Sequence, residues 1–206
     1  MVNPSLGRLR PSRLSGDEAF FNAGGIADFS VLDFWRWSIS DLVLNTIRGV
    51  LAEYIVAKAL GVPAEGVRDP WQSYDLESDD GVRVEVKSAA YIQSWAQDRF
   101  SDITFTVGKR LGWDPDTNRM DSDSRRHADI YVFALLGHRE QATINPLDLS
   151  QWRFWAVRTE TLDDRFGNQD SISLRTLEQL VGDPVEFLSL REGVSLASGR
   201  KRPAGT

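Results

Sequence analysis

The stretch that decides the fold is Tyr74-Asp75-Leu76-Glu77-Ser78-Asp79-Asp80-Gly81-Val82-Arg83-Val84-Glu85-Val86-Lys87. Val82, Val84 and Val86 alternate strictly with Arg83, Glu85 and Lys87, the period of two that marks a strand with two unlike faces. Just before it, Asp79-Asp80-Gly81 suits a three-residue hairpin loop, a type I turn closed by a left-handed residue, where glycine fits best. The spacing predicts a hairpin over residues 72–90. With those three residues as its loop, Ser78 pairs with Val82, Glu77 with Arg83 and Leu76 with Val84, and Asp75 falls opposite Glu85.

That register sets two carboxylates face to face. Directly opposed side chains have Cβ atoms about 4.5 to 5.5 Å apart, and like charges there repel. At about 4 Å and an effective dielectric near 20 the repulsion is on the order of 4 kcal/mol, so the pair calls for a cation. Lys87 lies on the same face, roughly 7 Å beyond Glu85, and a divalent ion shared by the two acids would neutralise the rest. Oxygen-only ligands with open positions suit Mg²⁺ or Mn²⁺ rather than zinc or copper. Such an ion beside a lysine suits phosphate chemistry, because both stabilise charge developing on a phosphodiester. The competing reading is a half-exposed strand whose charged side merely faces water.

Glu53 weighs against that simpler reading. From Ser40-Asp41 to Leu60 the apolar residues Leu44, Ile47, Leu51, Tyr54 and Ile55 recur at helical spacing, and Gly61 stands where a helix ends. On this helix the neighbours of Glu53 three and four residues away are Gly49, Val50, Val56 and Ala57, none of them a cation. A carboxylate beside an apolar stripe is costly unless a partner outside the helix meets it. Gly49 and Ala57 also allow another backbone to come close.

Further strands are expected at Ile103 to Val107, Ala128 to Leu136 and Arg153 to Val157, with a final helix from Ser173 to Val181. A helix, a hairpin and then mixed elements point to an α/β domain with a mixed central sheet flanked by helices. Residues 108–127 are nearly all polar and read as a lid or binding loop. Asp114-Pro115-Asp116-Thr117-Asn118 begins like a calcium loop, but Arg119 and Arg125 occupy positions where that loop needs glycine and glutamate. The first thirty residues read as an irregular arm and 199–206 as a disordered tail, leaving a single domain with its core at about 40–190.

The chain has no cysteine, which excludes disulfides and thiolate metal sites and leaves oxygen, or His127 and His138, as ligands for any ion; two histidines make a poor zinc site. With 24 basic and 30 acidic residues it is not a protein that coats nucleic acid by charge alone. No basic segment followed by an apolar run opens the sequence, and the expected location is the cytoplasm.

Together, Arg48-Gly49-x-x-Ala52-Glu53 on a helix, then Tyr74-Asp75, then Glu85-Val86-Lys87 resemble the PD-(D/E)xK nuclease superfamily, over roughly residues 40–158. Tyr74 stands where the proline of the family name would precede the acid, and Asp69-Pro70 has the reverse order. The resemblance implies a restriction-endonuclease-like fold and a magnesium-dependent endonuclease acting on DNA, with manganese as a substitute. It implies that Asp75, Glu85 and the Val86 carbonyl hold the metal, that Lys87 positions the attacking water, and that Glu53 binds a second ion or holds Lys87. Ser88 and Gln93 fall where members of the family place additional polar site residues.

Lys109, Arg110, Arg125 and Arg126 flank the polar loop and are candidates for contacts with the nucleic-acid backbone. Cutting both strands of a duplex needs two sites, so a homodimer is a further expectation. The alternative is a catalytically inactive module of the same fold that binds nucleic acid or a protein partner.

Overall fold

In the computed structural model, residues 6–63 and 66–199 are described. In chain order the elements are β1 (Ala19–Asn22), β2 (Gly25–Ser30), α1 (Val31–Ile39), α2 (Asn45–Leu60), β3 (Leu76–Glu77), β4 (Arg83–Ala90), β5 (Thr104–Thr106), β6 (Arg110–Asp114), β7 (Arg119–Arg125), β8 (Ile130–Leu136), β9 (Trp152–Arg158), α3 (Thr159–Phe166), β10 (Ser171–Ser173), α4 (Leu174–Val181) and α5 (Leu190–Ser198). The fold is mixed α/β, with a central sheet and three small two-stranded ladders.

The central sheet has the order β3-β4-β8-β9. Its β4–β8 pair is parallel, whereas β3–β4 and β8–β9 are antiparallel. Every residue of β8, Ile-Tyr-Val-Phe-Ala-Leu-Leu, is buried, as its unbroken apolar run requires of a strand covered on both faces. One face carries Val84, Val86, Ile130, Val132 and Phe154 against Ala52, Ile55, Val56 and Leu60 of α2 and Leu190 and Val194 of α5. The other carries Tyr131, Phe133, Trp155 and Val157 against Phe105 of β5, Leu162 of α3, Ile172 of β10 and Leu177 of α4.

Several boundaries differ from the sequence expectation. The long helix begins at Asn45 instead of Ser40-Asp41, because the Asp41 carboxylate accepts hydrogen bonds from the Val43 and Leu44 amides at 3.1 Å and holds a turn there. It ends at Gly61 as expected, at φ 75°, with the glycine amide donating back to Ala57 and Lys58. The helix at 174–181 is not the last, since α5 follows it. Within the first thirty residues, β1 and β2 form a hairpin where an irregular arm was expected. The 108–127 segment is a second hairpin, β6–β7, and the Asp114 to Asn118 stretch is its turn, with Asn118 left-handed at φ 56°. Of the tail 199–206, all but Gly199 lies outside the described residues.

Candidate active site

The β3–β4 hairpin forms as its turn chemistry dictates. Gly81 is left-handed at φ 74°, its amide donates to the Ser78 carbonyl at 2.8 Å, and the Ser78 amide donates to Val82 at 3.0 Å. Glu77 pairs with Arg83 and Leu76 with Val84. Beyond that point the ladder stops. The Asp75 amide donates to the Val84 carbonyl at 3.1 Å, and the Asp75 carboxylate turns inward to accept from the Val86 amide at 2.7 Å. Asp75 is therefore not the ladder partner of Glu85, as the register had implied, yet it stays within its electrostatic reach.

The Asp75 carboxyl titrates at about 7 instead of near 3.8. Burial is the largest cause, followed by the negative charges of Glu85 and then Glu53; the Val86 amide and the Lys87 ammonium oppose the shift without cancelling it. The other three expected catalytic residues, Glu53, Glu85 and Lys87, thus all act on Asp75.

On β4, Glu85 and Lys87 point away from α2 and form an ion pair with each other. Their side chains are only 17% and 19% exposed, so this is not a solvated strand face. Glu53, on α2, is met by the forked guanidinium of Arg68, whose Nη2 lies 2.7 Å from Oε1. That is the partner outside the helix that an apolar neighbourhood demands. Arg68 was not foreseen, because it sits in an irregular loop; the missing cation around Glu53 was its only signal.

A small pocket of about 30 Å³, room for a water or an ion, opens on Glu85 and Lys87. Its walls include Ser73, Arg110, Arg125, His127 and Tyr131. Arg110 and Arg125 are cross-strand partners at the base of the β6–β7 hairpin, and this places two of the expected phosphate-contacting residues in one pocket with Glu85 and Lys87. His127 enters the same wall, with Nε2 2.9 Å from the Arg110 carbonyl. A Cβ on Gly112 would lie 2.8 Å from the His127 ring and closer still to the Asp121 carboxylate, so a larger residue there would have to displace both side chains. Buried Tyr131 lies beside Glu85 in the β4–β8 ladder, and burial pushes its hydroxyl pKa upward.

The remaining expected site residues divide by direction. Lys109 lies 3.9 Å from Asp163, at the margin of the site. Ser88 faces α2, and its hydroxyl is 4.0 Å from where a Cβ on Gly49 would stand. Gln93 is buried, donating to the Ala90 carbonyl at 2.9 Å and Ser101 at 3.0 Å and accepting from buried Arg48 at 3.2 Å. It braces the segment after β4 against α2. Arg126 is a correction: its side chain is fully buried, donating to the Val107 carbonyl at 2.6 Å, Asp163 at 2.5 Å and the Gly167 carbonyl at 3.1 Å. That guanidinium knits β5 to α3 and is not presented to a phosphate.

Among the described residues no three His, Cys, Asp or Glu side chains form a ready-made metal cage. The donor set that exists is Asp75 and Glu85, with Glu53 nearby and backbone carbonyls at the strand. Mg²⁺ is commonly held by one or two carboxylates and keeps several waters, and burial together with the neighbouring charges of Glu85 and Glu53 makes ionised Asp75 costly unless such a cation is present.

No helix among the described residues is long and apolar enough to cross a membrane. Comparison with curated proteins gives no match. The family model for bacteriophage T4 endonuclease IV matches residues 35–176, which span α2, the β3–β4 hairpin and the whole central sheet. The chain belongs to the bacteriophage T4 endonuclease IV family.

Proposed function

We propose that this protein is a DNA endonuclease of the PD-(D/E)xK type, built on a restriction-endonuclease-like arrangement and dependent on Mg²⁺ or Mn²⁺. Membership of a family named for an endonuclease supports the reaction class. The observation that carries the mechanism is the convergence of Glu53, Glu85 and Lys87 on the Asp75 carboxyl, whose pKa is pushed up to about 7 by burial first and by the charges of Glu85 and Glu53 after it.

Asp75, Glu85 and the Val86 carbonyl would hold the ion. When bound, it supplies Lewis acidity to the scissile phosphodiester and acidifies water. Lys87, two residues from Glu85 on the same strand, orients the attacking water and opposes charge on the phosphate oxygens. Arg110 and Arg125, at the pocket wall, hold phosphate there, with Lys109 at its margin. Glu53, paired with Arg68, acts on Asp75 through its charge and takes a second ion.

The test is cleavage of plasmid and single-stranded DNA with Mg²⁺ or Mn²⁺, abolished by EDTA and by Lys87→Ala with an unchanged circular dichroism spectrum. No cleavage of duplex, single-stranded, branched or RNA substrates at any metal concentration would overturn it. A second reading, a catalytically silent nucleic-acid-binding module, draws on the pairing of Glu85 with Lys87 and of Glu53 with Arg68. It predicts retention of DNA with no cleavage and no divalent-ion binding.

A further inference from the structure

A second cavity, of about 320 Å³, opens at the end of the central sheet where β4 and β8 begin and β9 ends. Arg83 and Ile130 stand at the starts of β4 and β8, Arg158 at the end of β9, and Thr159 and Glu160 open α3. Arg125 and His127 line both this cavity and the pocket of Glu85 and Lys87. The two spaces therefore share a wall, and a strand leaving one on that side enters the other.

The charged groups of the cavity differ in how firmly they are held. Arg126 is fully buried and bound to Asp163 and to the Val107 and Gly167 carbonyls, so it closes the floor. Arg83 is held by both oxygens of Asp129, at 2.8 and 3.3 Å. These two pairs are neutral within themselves. Arg158 and Arg125 are held loosely. Arg158 is half-exposed and meets Glu160 at 3.2 Å, an acid itself 79% exposed. Arg125 meets exposed Asp121 at 3.4 Å. Surface pairs of this kind contribute about 0 to 1 kcal/mol, so either arginine can exchange its carboxylate for a forked contact with phosphate. α3 begins at the same wall with no side chain capping it, and its first-turn amides add positive potential there.

The other walls narrow the ligand. Val82, Ala128 and Ile130 are apolar, and none of the described residues that line the cavity is aromatic. A nucleobase finds no ring to stack on, whereas a phosphate finds two arginines able to turn toward it. The cavity is also far larger than the one-water pocket beside it, with room for a phosphate and its sugar.

We infer that this cavity is a flanking subsite that holds the phosphate adjacent to the scissile one on the same DNA strand, through Arg158 and Arg125. The inference rests on the nuclease reading of the Glu85 and Lys87 pocket. Arg158 gives up Glu160 to make its contact, and Arg125, in the common wall, stands between the two phosphates.

The experiment maps cleavage by the full chain, in Mn²⁺, along a DNA oligonucleotide that carries one uncharged methylphosphonate linkage. The other bonds of the same strand are the internal reference, so the readout is a ratio and not an overall rate. Wild type should cut the bond next to the methylphosphonate, on one side, about tenfold less than distant bonds, the loss expected for one charged hydrogen-bonded contact. In Arg158→Gln the same ratio should come within about twofold of unity, because the contact is already missing at every bond. Glu160→Gln keeps Arg158 and gives an independent reading: it should raise kcat/KM on unmodified DNA a few-fold by removing the competing carboxylate. Equal suppression in wild type and Arg158→Gln overturns the inference. So does wild-type cleavage that ignores the methylphosphonate, or a Glu160→Gln variant with lowered kcat/KM. In each of these cases the nuclease reading stands. Absence of cleavage on any DNA overturns both.

Discussion

The Asp75 carboxylate accepts a hydrogen bond from the Val86 amide at 2.7 Å, which pins it at the end of the ladder beside Glu85 and away from bulk solvent. Its pKa is raised from 3.8 to about 7, chiefly by burial and then by Glu85 and Glu53. A carboxyl whose folded pKa lies above its unfolded one contributes stability that is complete below about pH 4 and is lost as pH rises through about 7. Metal-free protein should therefore lose on the order of 3 kcal/mol between pH 4 and 8 relative to Asp75→Asn. Urea unfolding of both proteins in EDTA across that range checks it, and parallel pH profiles for the two would refute the assignment.

A divalent ion should reverse that penalty. Mn²⁺ at a hundredfold excess over its Kd stabilises by about 2.7 kcal/mol. The gain should be larger at pH 8 than at pH 6, because Asp75 must give up its proton to bind the ion. Thermal unfolding with and without Mn²⁺ measures the effect; Asp75→Asn and Glu85→Gln should each lose it. An equal shift in the wild type and both variants would place the ion elsewhere.

The parts of the fold that were legible in the sequence are those where one face had to be buried. The Val82, Val84, Val86 alternation located β4, the Asp79-Asp80-Gly81 turn set its pairing as far as Leu76, and the unbroken apolar run marked β8. The β6–β7 hairpin was not legible because both faces of β7 lie in water, so no apolar period marks it. The β1–β2 hairpin escaped for the opposite reason: its apolar residues lie on both faces, and neither packs into the core. At the site, turn chemistry reached Asp75 but not its inward swing, since a hydrogen bond to the Val86 amide competes with continuing the ladder. Glu53 showed that it needed a distant cation, but a loop position such as Arg68 has no spacing rule to reveal it.

Removing Arg68 should expose that dependence. The Glu53 side chain is 12% exposed and Arg68 41%, so the pair lies between a surface ion pair and a buried one. Arg68→Met should cost about 1 to 2 kcal/mol, and should raise the Asp75 pKa further by leaving the Glu53 charge uncompensated. Chemical denaturation gives the first quantity, and carboxyl titration by NMR gives the second. A downward movement of the Asp75 pKa would contradict the coupling.

Arg125 and Arg126 are neighbours in sequence and opposites in role. Arg126 is buried and bonded to the Val107 carbonyl, Asp163 and the Gly167 carbonyl. Arg126→Met should therefore cost about 3 to 5 kcal/mol, the range for breaking a buried charged network by removing one partner. Arg125 is exposed at the pocket wall, and its ion pair with Asp121, at 3.4 Å, is a surface pair worth little. Arg125→Gln should leave stability within about 0.5 kcal/mol. It should instead weaken DNA binding and lower the slope of log affinity against log salt by about 1, as expected for one lost phosphate contact. Urea midpoints and salt-dependent fluorescence anisotropy separate the two variants. If Arg125→Gln destabilised the fold while its salt slope stayed at the wild-type value, the β6–β7 base would be a structural brace and not part of the nucleic-acid surface.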